Sequence, residues 1–323
     1  MYYEPYRGRR PARRRRRRRH GLARFVAKLL ITALLLAALA AGALYVMPVS
    51  LLAVEPEGMT LSLTDGLPGD RINVLLLGTD LMSESRQRSD TLIIATLGSR
   101  TVRLTSVLRD TVVDIPGHGS GKVNAAFAYG GAELAMRTLN EAFDLNIMYY
   151  VRADFAALVR AVDAIGGVDI DVTQAELEQI NETVAYFLAL YPDHDYPADM
   201  LYTPGLARLN GLQALSYARI RKIDSDYRRA SRQRTLLTAM LARIRANIWN
   251  PAMLARLARE VLGGLDTNLS PLALISLGEK ALLADDLSQM RLPAEGTYTD
   301  DGSSIRIDSR DRNIAAFRAF AYP

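Results

Sequence analysis

The chain has 323 residues, of which 49% are hydrophobic and 23% charged, and its 40 Lys and Arg outnumber 35 Asp and Glu. This composition excludes wholesale disorder and suits one large domain with a sizeable core. Cysteine is absent, which excludes disulfides, zinc–thiolate sites and a thiol nucleophile.

The basic excess is local. Residues 1–24 hold eleven arginines and one acid, Glu4, whereas the rest carries 29 basic against 34 acidic residues. The excess marks a tail, and the body has no electrostatic footprint for nucleic acid. From Leu29 to Val54 no residue is charged. The apolar run Leu29–Met47 is long enough to span a bilayer. Arginines crowd its N-terminal side, so the tail over 1–28 is expected in the cytoplasm, a single-pass anchor over 29–49, and the remainder outside the cell membrane. A cleaved signal peptide is the competing reading, since Ala38-Leu39-Ala40 resembles a cleavage site. The apolar run continues well past it, which favours an uncleaved signal-anchor whose arginines sit among anionic membrane lipids. Residues 50–70, with Pro56, Gly58, Gly66, Pro68 and Gly69, read as a linker to a body over 71–323.

The body opens with an apolar run, Arg71–Leu77, that suits a strand buried on both faces. Further strands are expected at Thr91–Leu97, Val102–Val107 and Thr111–Ile115, where Pro116-Gly117 ends the last. Lys122 falls on a loop after Gly119 and Gly121. Apolar positions at helical spacing predict a helix over Ala132–Phe143. A strand at Ile147–Val151 follows, then a helix capped by Asp154 and running to Ala164. Gly166-Gly167 turns the chain into a strand at Val168–Val172, and a polar helical stretch begins at Thr173. A loop with Pro192, Pro197, Pro204 and Gly205 leads to helices at Gly211–Ala218, Arg229–Ile248, Pro251–Leu262 and Pro271–Leu283, the last capped by Ser270. Short strands at Leu287–Leu292 and Ser304–Ile307 precede a final helix, Arg310–Phe320. This alternation predicts a layered α/β domain.

Three places carry candidate chemistry. Asp80 ends the first strand and Asp90 opens the second, so two carboxylates on adjacent loops could share a hard cation such as Mg²⁺. A turn-capping Asp90 and a solvated Asp80 is the plainer alternative. Arg109-Asp110 lies between two strands, where such a pair is often a surface ion pair of little energetic value. The densest place is Arg219–Arg234, with seven basic residues against Asp224 and Asp226. Guanidinium forks match phosphate oxygens, so this cluster suits a polyanion, although a solvated basic helix face is common. If the segment is extended, Tyr217, Arg219 and Arg221 share one side. Phe155–Val162 and Leu236–Leu241 are apolar and could line a lipid groove or simply form core. The sequence holds no G-x-S-x-G, Walker A or G-x-G-x-x-G motif, and only three histidines, His20, His118 and His194.

The ordered series LLLGTD, RSDT, SVLRDT, KVNAAFAYGG, IGGV, LNGLQALSYARIR and D-Y-x-R-x-x-RQ resembles the LytR-CpsA-Psr family of cell-wall assembly proteins from about Ile72 to Arg234. The resemblance implies a three-layer α/β/α domain with a central mixed sheet and an apolar groove for a polyprenyl chain, preceded here by one transmembrane helix. It implies transfer of a glycopolymer from a polyprenyl-pyrophosphate carrier to peptidoglycan through a phosphodiester. By motif position, Asp80 and Asp90 would hold Mg²⁺ (or Mn²⁺). Arg88, Arg109, Arg219, Arg221 and Arg229 would bind the pyrophosphate, and Lys122, Asp110, Tyr217, Asp226, Arg232 and Gln233 would complete the head-group site. Asp110 or Asp226 would take the proton of the attacking sugar hydroxyl. Leu108 departs from the family pattern, which has proline before Arg-Asp. A pyrophosphate hydrolase and a non-catalytic lipid-binding or regulatory protein are the alternative functions.

Overall fold

The apolar run after Asp70 becomes β1 (Ile72–Thr79), and its period of two explains its burial on both sides. Leu75 and Leu77 enter one core, and Val74 and Leu76 another. The computed structural model describes residues 58–79, 89–190, 199–223 and 226–323. β1 pairs antiparallel with β2 (Ser89–Leu97), which pairs with β3 (Thr101–Val107). On its other edge β1 runs parallel to β6 (Tyr149–Asp154). The sheet is closed by β10 (Asp286–Leu292), parallel to β3, and by β9 (Leu265–Thr267), antiparallel to β6. The six-stranded order is β10-β3-β2-β1-β6-β9, a mixed sheet. Gly78 opposes Thr91, where a Cβ would come within 2.9 Å of the threonine Cβ, so the strands approach closely at the end of β1.

Helices cover both faces. On one, α1 (Ala125–Phe143) and α8 (Arg310–Ala321) supply Met136, Leu139, Phe143 and Phe317 to the core around Leu75 and Ile94. On the other, Ala273 and Leu277 of α7 (Pro271–Leu283) meet Val74, Ile93 and Ala95, together with Leu237 of α5 (Asp226–Ala246). A third core joins α2 (Phe155–Ala164), the antiparallel pair β7 (Val168–Val172) and β8 (Gly205–Leu209), α3 (Gln174–Leu190), α4 (Gly211–Arg219), α5 and α6 (Pro251–Gly264). A four-stranded sheet flanks these layers. It consists of β4 (Thr111–Ile115), β5 (Gly119–Lys122), β11 (Tyr298–Asp300) and β12 (Ile305–Ile307), in the order β11-β12-β4-β5.

Several elements differ from the sequence expectation for physical reasons. α1 begins at Ala125, seven residues earlier than expected, and passes through a break at Gly130 and Gly131, where Gly131 has φ 63°. β5, β8, β9 and β11 were not expected, because their short, polar or glycine-containing runs show no apolar alternation. Met59 and Leu61, within the expected linker, pack onto the main core. The Thr60 N–H donates to Glu133 at 2.9 Å. The expected anchor and tail lie outside the described residues, and among the described residues no helix is long and apolar enough to cross a membrane.

α4 leans directly on α2. A Cβ at Gly211 would fall 2.3 Å from the Val159 carbonyl oxygen. Gly211→Ala is therefore expected to cost at least about 2 kcal/mol, since a backbone atom must shift. Chemical denaturation of the purified variant checks this.

Candidate active site

The site forms where β1 and β2 end. Asp90 is the second residue of β2, next to a register shift between Gly78 and Thr79 that turns the strand ends outward. Two guanidiniums converge on its carboxylate. Arg109 Nη1 lies 2.9 Å from Oδ1 and Arg221 Nη2 lies 3.0 Å from Oδ2. Arg229, buried on α5, donates to the Asp90 carbonyl at 3.4 Å. Burial opposes the charge of Asp90, but Arg221, Arg109 and Arg229 outweigh it and hold the carboxyl below the usual range.

Ion pairs continue sideways from Asp90. Arg109 Nε lies 3.1 Å from Asp110 Oδ2, and Lys122 Nζ lies 2.8 Å from Asp110 Oδ1. Local structure explains the alignment. Thr111 N–H donates to the Leu108 carbonyl at 3.0 Å, closing a tight turn that presents Arg109 and Asp110. Lys122 stands opposite Val112 in the β4–β5 ladder and so reaches back over the same turn. Leu108, the departure from the family pattern, has a structural role. Its N–H donates to the Leu292 carbonyl at 2.9 Å, a bond that proline cannot make.

A cavity of about 500 Å³ opens beside Asp90. Its walls are Leu76, Ile93, Val151, Phe155, Leu158, Leu215, Leu236 and Leu237, and its polar lining includes Asp90, Arg219, Arg221, Arg229 and Gln233. The Arg219 guanidinium lies over the Phe155 ring, 4.3 Å from its centroid, which holds a charge at the start of the apolar wall. Asp154 also lines the cavity, but its carboxylate caps α2 by accepting from Ala157 N at 2.6 Å. Among the described residues, Arg109, Lys122, Arg219, Arg221 and Arg229 outnumber Asp90, Asp110 and Asp154 by two at the cavity and along its ion-pair chain. An anionic head group with an apolar tail would satisfy both parts.

The expected residues do not all converge. Asp90, Arg109, Asp110, Lys122, Arg219, Arg221, Arg229 and Gln233 lie at the cavity or on its ion-pair chain. Tyr217 and Arg219 do not alternate along an extended segment, because α4 runs through Arg219 and helical rotation separates them. Tyr217 is buried, and the Arg232 guanidinium lies 5.9 Å from its ring centroid. Arg232 Nε in turn donates to Glu176 Oε1 at 2.7 Å, with the arginine side chain only 6% exposed. Burial opposes the Glu176 charge, but Arg232 and the Thr173 donors prevail and keep its carboxyl below the usual range. Asp80 and Arg88 lie outside the described residues, and of Asp226 only its position at the start of α5 is described. Sequence reasoning missed Glu176 as the partner of Arg232. Its available signal was Thr173-x-x-Glu176, a capping box that fixes this carboxylate at the start of α3. Of the two ambiguous apolar stretches, Phe155, Leu158, Leu236 and Leu237 line the cavity, whereas Val159 and Val162 belong to the core.

A mixed-sheet α/β domain whose apolar cavity opens onto clustered guanidiniums defines a protein shaped for an amphiphile with an anionic head. The sequence model of the LytR_cpsA_psr family matches residues 54–316, and the chain belongs to this LytR-CpsA-Psr family. It is 32% identical over 249 residues to the polyisoprenyl-teichoic acid–peptidoglycan teichoic acid transferase TagU of Enterococcus faecalis, covering 74% of this chain and 75% of that one. It is 33% identical over 183 residues to the transferase TagT of Bacillus subtilis, a match that spans 54% of this chain and only 53% of TagT. A solved structure of TagT with bound octaprenyl pyrophosphate lipid has the same fold, with a TM-score of 0.61, 22% identity, and coverage of 83% of this chain and 97% of that one.

Proposed function

We propose that this chain transfers a glycopolymer from a polyprenyl-pyrophosphate carrier to peptidoglycan, acting outside the membrane from a single N-terminal anchor. The observation that carries this reading is the apolar cavity whose polar lining gathers Arg219, Arg221 and Arg229 beside Asp90. The activity named for TagU and TagT, and the lipid bound to TagT, support it.

In this reading the polyprenyl chain lies in the cavity and the pyrophosphate meets the guanidiniums at its mouth. A sugar hydroxyl of the glycan attacks the phosphorus that bears the glycopolymer. The bond from that phosphorus to the bridging oxygen breaks, and polyprenyl phosphate leaves. Arg219, Arg221 and Arg229 take up charge on the transferring group and the leaving phosphate. Asp110 and Asp226 are the two candidates for the proton. Asp110 is already oriented by Arg109 and Lys122.

A hard divalent cation takes carboxylate oxygens as ligands. Asp90 offers oxygen ligands, and a head group that draws away Arg109 and Arg221 would release both of them. Asp90 with Asp80 would hold Mg²⁺, which would neutralise phosphate oxygens. The reading is tested with the detergent-solubilised full chain, a polyprenyl-pyrophosphate-linked saccharide and a peptidoglycan oligosaccharide, with products followed by mass spectrometry. A phosphodiester-linked conjugate that is lost with chelator is expected. Lipid phosphate without conjugate, or lipid bound and unaltered, would overturn the transferase.

A further inference from the structure

His118 and Tyr129 form an aromatic pair that the chemistry above does not use. Their rings stack with centroids 4.5 Å apart and planes 11° from parallel. His118 sits in the turn of the β4–β5 hairpin, its N–H donating to the Ile115 carbonyl at 2.8 Å. Tyr129 ends the first segment of α1, just before the Gly130–Gly131 break, and is 55% exposed. The stacking covers one face of the Tyr129 ring and leaves the other side of the pair open to solvent.

Position gives the pair a meaning. The leaving group of the transfer occupies the cavity, so an in-line nucleophile must enter from the side away from it. The chain of ion pairs runs from Asp90 in the cavity lining through Arg109 and Asp110 to Lys122, which is outside that lining and belongs to the same hairpin as His118. Four residues of chain separate them, at most about 13 Å, a few sugar residues of a glycan strand. A pyranose ring has one face of C–H bonds with slight positive charge, which an aromatic face attracts.

We propose that the His118–Tyr129 pair is a distal subsite for the acceptor glycan, with a sugar stacked on the open ring face a few residues from the reacting hydroxyl. This rests on the transferase reading. It assigns the hairpin and the first segment of α1 to the acceptor, and the cavity to the donor.

The experiment compares the full chain with Tyr129→Ala and Tyr129→Trp, using a disaccharide and an octasaccharide of uncrosslinked peptidoglycan glycan as acceptors. KM for the octasaccharide is expected to rise about tenfold in Tyr129→Ala. KM for the disaccharide, too short to reach the pair, is expected to hold, as is binding of the pyrophosphate lipid. Tyr129→Trp should retain wild-type values. Equal changes for both acceptors, or none, would overturn the subsite. Saturation-transfer NMR with the octasaccharide decides the point even if no conjugate forms with the wild type, an outcome that would sink the transferase alone. A glycan signal that is present in the wild type and vanishes in Tyr129→Ala supports the subsite. A signal that is unchanged by the substitution, or never present, removes it.

Discussion

Arg229→Ala is expected to lower kcat for glycopolymer transfer by about 10²–10³-fold while leaving the fold intact. The size of the effect follows from burial. Arg229 is 4% exposed, reaches the cavity from within α5, and sits against the Asp90 carbonyl rather than in bulk water. A charge in that position acts through a low dielectric, where it stabilises developing negative charge far more than a solvated one does. Arg221 touches the same aspartate but its side chain is 47% exposed, so water would replace part of its effect and Arg221→Ala is expected to cost less. Arg229→Lys should recover little, because an ammonium cannot present the planar fork that spans two phosphate oxygens. Single-turnover rates of conjugate formation, alongside circular dichroism, separate the chemical loss from misfolding. Equal losses in Arg221→Ala and Arg229→Ala would refute the argument from burial.

The largest expected effect on stability lies away from the cavity. Glu176→Ala should destabilise the protein by about 3 kcal/mol, because it removes the carboxylate that neutralises the buried guanidinium of Arg232. It also removes the acceptor of Thr173 N–H, 3.0 Å away at the start of α3. In a domain of this size that corresponds to a fall in Tm of about 10 °C. The effect depends on pH with a definite sign. The folded carboxyl titrates below its ordinary value of 4.5, so its contribution is full above about 4.5 and is lost as pH falls through the lower folded value. The difference between wild type and Glu176→Ala should therefore shrink on acidification, in denaturant titrations at a series of pH values. Replacing both partners, as Glu176→Leu with Arg232→Met, should recover stability relative to either single change. A gap that widens in acid would contradict the assignment.

Legibility from sequence tracked how local each cause was. The central strands announced themselves as apolar runs, with Leu75, Leu77, Leu92 and Ile94 buried on one face of the sheet and Val74, Ile93 and Ala95 on the other. Asp154 and Ser270 capped the helices expected of them, because a cap is decided within three residues. The basic cluster after α4 was legible as composition, but its division of labour was not. Arg219 and Arg221 turn to the cavity, whereas Arg232 turns to a carboxylate 56 positions earlier in the chain. Nothing within a sequence window distinguishes those fates. The edge strands were missed for a related reason. Gly119–Lys122 becomes a strand through pairing with Thr111–Ile115, and its own composition carries no apolar pattern.

The order of strands in the large sheet has a consequence for how the chain is made. The four inner strands, β3, β2, β1 and β6, are complete by Asp154, yet both edges come from residues 265–292. Pairing of β10 with β3 joins Asp286 to Thr101, across most of the domain. Contacts of such separation form slowly. As the polypeptide emerges from its N-terminus, the sheet stands with both margins open until nearly the whole chain has arrived. Unpaired margins recruit other strands, so the interval before β9 and β10 arrive is when newly made copies are most prone to join one another.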